Sequence, residues 1–411
     1  LEDKQPTKKR RENVYTKGYI YFFLALLLVT IPLFSASAED LPKRTVNIGY
    51  SGPLSGSAAS WGLALGNALK YYAEQSNNAG GMKLGGELVF FKVIAMDDKY
   101  LPSETIANVT KMIHVNEIDY MFTESGPGTM AIREMTAKRK LLTFSGGWAD
   151  FLGPKYPRLF RFIIDHNAST LSLASYVKKN NPQVKSVVVI NMDNDTGYSS
   201  GEGATAIWEG MNVEVLDSLL YDIGTVDFFP VVTKLLVKKP DFIDLSCCPP
   251  ADVPLIVRAA RDLGYKGDFA HGGMPDVPID GVIATGIVLG DPKESPAQIE
   301  YRKAYSAKHG ELHSWWEFYG SGIYPFFKNF LIDADSADPE VVYQTISAPG
   351  YSFDTWWGRS FWYGKDIWGI DRNLASYVPI KKGIGGKWVQ VDYAQTKDYM
   401  PLYKFVSKNK K

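Results

Sequence analysis

The chain has 411 residues, with 45 Lys and Arg balanced by 45 Asp and Glu, and 45% of its residues are hydrophobic. This composition is globular rather than disordered or fibrous, and the length suits two or three domains. A balanced charge with basic residues clustered only near the start argues against a nucleic-acid partner, and two cysteines exclude a disulfide scaffold.

Residues 8–11 are Lys-Lys-Arg-Arg, and an uncharged apolar run follows over 19–34 (YIYFFLALLLVTIPLF). Ser35-Ala36-Ser37-Ala38 then gives an A-x-A cleavage pattern. That order predicts a secretory signal peptide over residues 1–38; the rival, a membrane anchor, is opposed by the short run and by Pro32. The mature chain would carry a net charge of −3 and be exported to the periplasm.

The remaining chain alternates strand and helix. Residues 45–50 (TVNIGY) predict a strand, and Leu65, Ala68, Leu69, Tyr72 and Ala73 recur at helical spacing until Asn77-Asn78-Ala79-Gly80-Gly81 stops them. Strands are predicted at 87–95, 118–122 and 141–144, with helices at 103–113 and 130–138 between them. The pattern restarts near Asp165. Helices at 171–179, 203–210, 228–236 and 253–263 alternate with strands at 186–191, 212–216, 242–246, 269–270 and 282–289. Helices return at 297–308 and 319–331, before a tail rich in Trp and Gly. The fold class is therefore α/β, with two doubly wound parallel-sheet lobes.

Ligands of such sheets sit beyond the carboxyl ends of the strands, and pockets favour domain interfaces. Trp61, after the loop Gly52-Pro53-Leu54-Ser55-Gly56, either walls a cleft or packs on the sheet edge. Ser125 and Gly126 open a helix, where a hydroxyl and free N–H groups either hold an oxyanion or cap the helix. Ser145, Gly146 and Trp148 follow the next strand, and paired glycines let backbone approach a ligand. Tyr198, in Asp193-Asn194-Asp195-Thr196-Gly197-Tyr198, reaches toward the cleft from the second lobe. Asp165 and His166 serve the crossing either as hinge groups or as ligand contacts. Cys247-Cys248 are expected as reduced thiols. His309 and His313 lack an HExxH frame, Asp97-Asp98 reads as the start of a helix, and no nucleophile–base set is present. Trp356, Trp357, Trp362 and Trp368 are expected to seal the tail against a lobe.

The segments VNIGYSGPLSG, NNAGG, MDDKYLPSETIANVTKMI and LFRFIID, in this order, resemble the solute-binding proteins of branched-chain amino acid-type ABC importers. The resemblance runs over residues 46–331. It implies a type I periplasmic-binding fold whose lobes are joined by a three-crossing hinge, no cofactor, no metal, no enzymatic activity, and a monomer that meets permease subunits. It also implies that Trp61, Ser125, Gly126, Ser145, Gly146, Trp148 and Tyr198 bind a small solute, with a carboxylate on the first lobe. The first lobe would comprise residues 39–164 and about 291–350; the second would comprise 165–290 and about 351–411. Where the family's amino-acid binders place a second-lobe carboxylate, this chain has His271-Gly272-Gly273-Met274, with Asp276 close by, and a second-lobe tyrosine region becomes Cys247-Cys248-Pro249-Pro250. Trp148, Trp315 and Trp316 then suggest a flat or apolar ligand body: an aromatic or branched amino acid, an aromatic carboxylate, or a small amide. A ligand sensor of the same fold is the alternative function.

Overall fold

The computed structural model describes residues 41–273, 275, 277–286, 288, 295–309, 323–355 and 358–407. The expected signal peptide, Met274, Asp276, Trp315, Trp316, Trp356, Trp357 and the side chains of His309 and His313 lie outside the described residues.

β1 (Lys43–Gly52) is flanked on both sides by parallel partners, β3 (Glu87–Asp97) and β4 (Tyr120–Thr123). Its last five residues are all buried, as expected of a parallel strand covered on both faces. β5 (Leu142–Ser145) and β6 (Leu159–Arg161) continue the parallel order. α1 (Ala59–Asn78), α2 (Pro102–His114) and α3 (Gly126–Lys138) form the connections. β2 (Met82–Leu84), absent from the sequence expectation, pairs antiparallel with β3 through Gly85-Gly86. Both glycines have positive φ, 55° and 80°, which a two-residue hairpin turn requires.

The second sheet is built from β7 (Ser186–Met192), β8 (Glu214–Tyr221), β9 (Phe242–Asp244), β10 (Phe269–His271) and β11 (Val282–Thr285), all parallel. α4 (His166–Asn180), α5 (Asp195–Gly210), α6 (Phe229–Leu236) and α7 (Asp252–Asp262) connect them. α3, α4 and α5 start earlier than the apolar stripe suggested. Their first turns are polar or small and are fixed by caps: Ser125 Oγ accepts from Gly128 N, Asp165 Oδ1 from Asn167 N, and Asn194 Oδ1 from Gly197 N.

α8 (Pro296–His309), α9 (Ile323–Asp333) and α10 (Pro339–Ile346) return to the first sheet. Tyr301 of α8 stacks on Tyr72 of α1 at 5.4 Å, and Phe327 of α9 meets Tyr120 and Phe122 edge-on at 5.0 and 5.3 Å. The tail divides in a way the sequence did not suggest. β12 (Ser352–Thr355), β13 (Gly358–Tyr363) and β14 (Asn373–Ala375) extend the first sheet, not the second, with Asn373 in register with Arg161. Aromatic packing explains this placement: Trp362 lies 4.9 Å from both Phe160 and Phe353, and Phe353 lies 4.9 Å from Phe330. Only β15 (Val378–Ile384) and β16 (Lys387–Ala394) join the second sheet, antiparallel to β11 and to each other.

The chain thus passes between sheets three times, after Arg161, after Thr285 and after Ala375. The first and third passages are tied by one carboxylate. Asp165 Oδ1 accepts from the N–H groups of Asn167 (2.9 Å) and Ala168 (3.2 Å), which caps α4. Its Oδ2 accepts from Tyr403 Oη (2.6 Å), Asn373 Nδ2 (3.1 Å) and Tyr363 Oη. Arg161 donates to Asn373 Oδ1 (2.9 Å), Gly147 O (2.9 Å) and Ala149 O. Asp165 and Arg161 are fully buried, so every donor left without an acceptor is costly. Asp165→Ala is expected to destabilise the protein by about 3 kcal/mol or more. Denaturant unfolding measures this, and a loss below about 1 kcal/mol would show the knot to be dispensable.

Candidate functional site

The loops beyond the carboxyl ends of both sheets line a narrow cleft whose free volume is about 20 Å³, room for about one water. The first lobe supplies Trp61 from the first turn of α1, Tyr100 from the loop after β3, Glu124 after β4, and Gly146, Gly147 and Trp148 after β5. The second supplies Cys247 after β9 and Gly273 after β10.

The loop after β3 is held by two carboxylates with different tasks. Asp97 accepts from Leu54 N (2.8 Å), Lys99 N (2.9 Å) and Ser55 Oγ (2.6 Å), fastening the first loop of the lobe. Buried Asp98 accepts from Tyr100 N (2.9 Å), Thr105 Oγ1 (3.1 Å) and Ser51 Oγ (3.2 Å). These bonds hold Tyr100 at a φ of 64°, a left-handed conformation uncommon for an aromatic residue. Its ring then lies 5.9 Å from that of Trp61, and its hydroxyl meets Thr196 Oγ1 of the second lobe at 3.4 Å. Burial pushes the Asp98 pKa up to about 6, against its hydrogen bonds and with a further rise from Asp97.

Glu124 is 6% exposed, and among the described residues nothing donates a hydrogen bond to its carboxyl. Burial, and then the charge of Asp98, push it well above the usual carboxylate range. A Cβ on Gly146 would collide with Glu124 Oε2, so only glycine leaves the carboxyl room at this place. Trp148 donates Nε1–H to Ile164 O (2.9 Å), and its ring would lie 2.8 Å from a Cβ on Gly272 of the second lobe. Burial pushes the Cys247 thiol up to about 12. Both cysteines are free and buried. Among the described residues no group of His, Cys, Asp or Glu could hold a metal ion.

The structure brings Trp61, Gly146 and Trp148 to the cleft lining and places the other sequence-nominated residues elsewhere. Ser125 is fully buried, its Oγ spent on the α3 cap. Ser145 Oγ shares a hydrogen bond with Thr129 Oγ1 (2.8 Å) and accepts from Gly147 N (3.0 Å). Gly126 packs against Thr196, leaving no room for a Cβ. Tyr198 is 51% exposed and donates to Asp193 Oδ1 at 2.7 Å. On α5 the inward positions are Thr196 and Ser200, one turn apart; Tyr198 stands between them in sequence and so on the opposite side. Asp165 and His166 are buried at the first crossing and do not line the cleft. His271, held neutral by burial with a pKa of about 4, is bound to Cys248 O (2.8 Å). Trp362 and Trp368 pack within the first lobe's tail.

Sequence inspection missed Tyr100 and Glu124 as lining groups, and met Gly147, Cys247 and Gly273 only as members of the paired glycines and of the two second-lobe stretches, without nominating them singly. For Glu124 a signal existed: an acid directly after the wholly buried strand Tyr120–Thr123, where a parallel sheet delivers its functional groups.

The chain matches the periplasmic binding protein family model over residues 45–367. It also resembles solved structures. A leucine-binding protein from Thermotoga maritima superposes with a TM-score of 0.74 at 16% identity, over 86% of this chain and 99% of that one. A solute-binding protein of an ABC transporter from R. palustris, in complex with benzoate, gives 0.72 at 17% identity, over 86% and 97%. A branched-chain amino acid ABC transporter protein from Thermus thermophilus with bound valine gives 0.72 at 15% identity, over 89% and 100%. At these identities the structures establish the fold, two parallel-dominated lobes of the type I periplasmic arrangement. With three-quarters of its length matched by the family model, the chain belongs to the periplasmic binding protein family.

Proposed function

We propose that this protein is an extracytoplasmic solute-binding protein that captures one small solute between its lobes and delivers it to the permease subunits of an ABC importer. The supporting observation is the cleft itself, lined by loops from both sheets at the carboxyl ends of their strands. A solute there touches Trp61, Tyr100 and Trp148 on one side and Cys247 and Gly273 on the other. Contacts to both sides exist together only when the lobes are closed, so the solute draws the population toward that state. In this reading the solute is carried and released unchanged, as befits a chain of the periplasmic binding protein family. Three aromatic walls around a narrow cleft favour a small, flat or apolar body.

A thermal-shift screen of small amines, amides, aromatic acids and branched amino acids tests this reading. A hit at a hundred times its Kd is expected to add about 2.7 kcal/mol of stability. Gly146→Val should abolish every such shift, because its side chain displaces the Glu124 carboxyl into the cleft. A shift retained in Gly146→Val would place the solute elsewhere. Ser125→Ala, in contrast, is expected to cost about 1 kcal/mol through loss of the α3 cap, with affinity for the same hit changed less than about twofold. A tenfold loss of affinity would put the Ser125 hydroxyl in the site.

A further inference from the structure

We infer that the polar end of the captured solute is a cationic nitrogen, an ammonium or amidinium, held by the Glu124 carboxylate among the rings of Trp61, Tyr100 and Trp148. The inference deepens the solute-binding function proposed above and rests on it.

Four observations converge. First, the Glu124 carboxyl lines the cleft, is more than nine-tenths buried and has no donor among the described residues. A buried acceptor without a partner is costly, so a solute supplying that partner gains what the free protein lacks. Second, six of the eight backbone N–H groups that line the cleft are already spent: those of Trp61, Tyr100, Glu124, Gly146, Gly147 and Cys247 donate to Ala58 O, Asp98 Oδ1, Ser51 O, Thr123 O, Ser145 Oγ and Asn191 Oδ1, which leaves an anion few donors there. Third, no Lys, Arg or His lines the cleft among the described residues, and buried Arg161 is committed to Gly147 O, Ala149 O and Asn373. Fourth, the faces of Trp and Tyr rings attract cations and offer nothing to an anion.

The charge balance sets the sign of the pH dependence. The titratable groups facing Glu124 are Asp98 from the loop after β3, Tyr50 of β1, Tyr100, and Cys247 from the second lobe; none is cationic. Burial and the neighbouring Asp98 raise the Glu124 pKa, which favours the protonated acid in the free protein. For each protonated Glu124 that takes R–NH3+, the O–H bond breaks, the proton leaves to solvent, and a carboxylate–ammonium pair remains. Affinity for a cation therefore rises with pH, by up to about tenfold per unit, while Glu124 is protonated in the free protein. A carboxylate solute bound to the protonated acid shows the opposite sign.

Isothermal titration calorimetry of the full protein with benzylammonium and with benzoate, at pH 6, 7 and 8 in two buffers of different protonation enthalpy, decides the matter. The expected result is benzylammonium binding that tightens with pH and releases protons, with Glu124→Gln weakening it by about 100-fold. Should Glu124→Gln fail to fold, the pH slope and proton count of the unaltered protein still decide. Absent benzylammonium binding at millimolar concentration, or benzoate binding that is tighter and weakens with pH, would overturn the inference. Benzoate binding lost in Gly146→Val would overturn it while leaving solute capture intact. Benzylammonium binding equally tight in Gly146→Val would overturn both.

Discussion

The carboxylate of Asp165 fixes where the chain leaves one sheet for the other, and the two-lobed form depends on it. Five donors converge on its two oxygens, from the start of α4, from the strand Gly358–Tyr363, from the strand Asn373–Ala375 and from Tyr403 near the end of the described chain. A buried carboxyl group needs such a set of partners to offset the hydration it has lost. The consequence is topological. The tail comes back to the first crossing before it enters the second sheet, so these bonds act with the aromatic packing around Trp362 to keep the strands from Ser352 to Ala375 with the first sheet, and only the last two strands join the second. The first and third crossings are thereby held side by side at one carboxyl group.

A parallel sheet covered on both faces spends its polar chemistry at the strand ends. Inside the lobes, strands such as Tyr120–Thr123 and Leu142–Ser145 are buried throughout and present no charge. Beyond their carboxyl ends the next residues are Glu124 and Gly146, and these meet in the cleft. The local hydrogen bonds there are mostly satisfied within the protein: Asp97 and Asp98 are consumed in shaping loops, and Ser125 and Ser145 in shaping helix and turn. What is left over for a solute is therefore small in kind: aromatic faces and one carboxyl. Residues that look alike in sequence, two serines and two acids, divide into scaffold and site according to whether a local backbone donor reaches them first.

That division also explains what could be read in advance. The alternation of strands and helices, the two lobes and the loops that carry the site were legible because apolar periodicity reports on burial. Of the nominated residues Trp61, Gly146 and Trp148 line the cleft, Trp61 by one of the two readings its sequence left open, cleft wall or sheet-edge packing. Ser125, Ser145 and Tyr198 were misplaced because hydroxyl chemistry suits a ligand and a cap equally, and because a helix start was set too late along Asp195–Gly210, which hid that Thr196 and Ser200 face inward. Glu124 stood in plain view between Thr123 and Ser125. Its place after a buried strand was a signal, and three-dimensional facts gave it weight: no donor reaches it among the described residues, and a glycine lies opposite it.

Trp148 joins the cleft to the hinge mechanically. Its indole N–H is bonded to the carbonyl of Ile164, the residue immediately before Asp165, so the ring is anchored to the first crossing. Its outer edge rests on Gly272 of the second lobe, where a larger residue would hold the lobes apart. In the solute capture proposed above, the bond to Ile164 O ties the ring to the first crossing while Gly272 meets it from the second lobe, so a solute lying against Trp148 bears on the contact that brings the two lobes together.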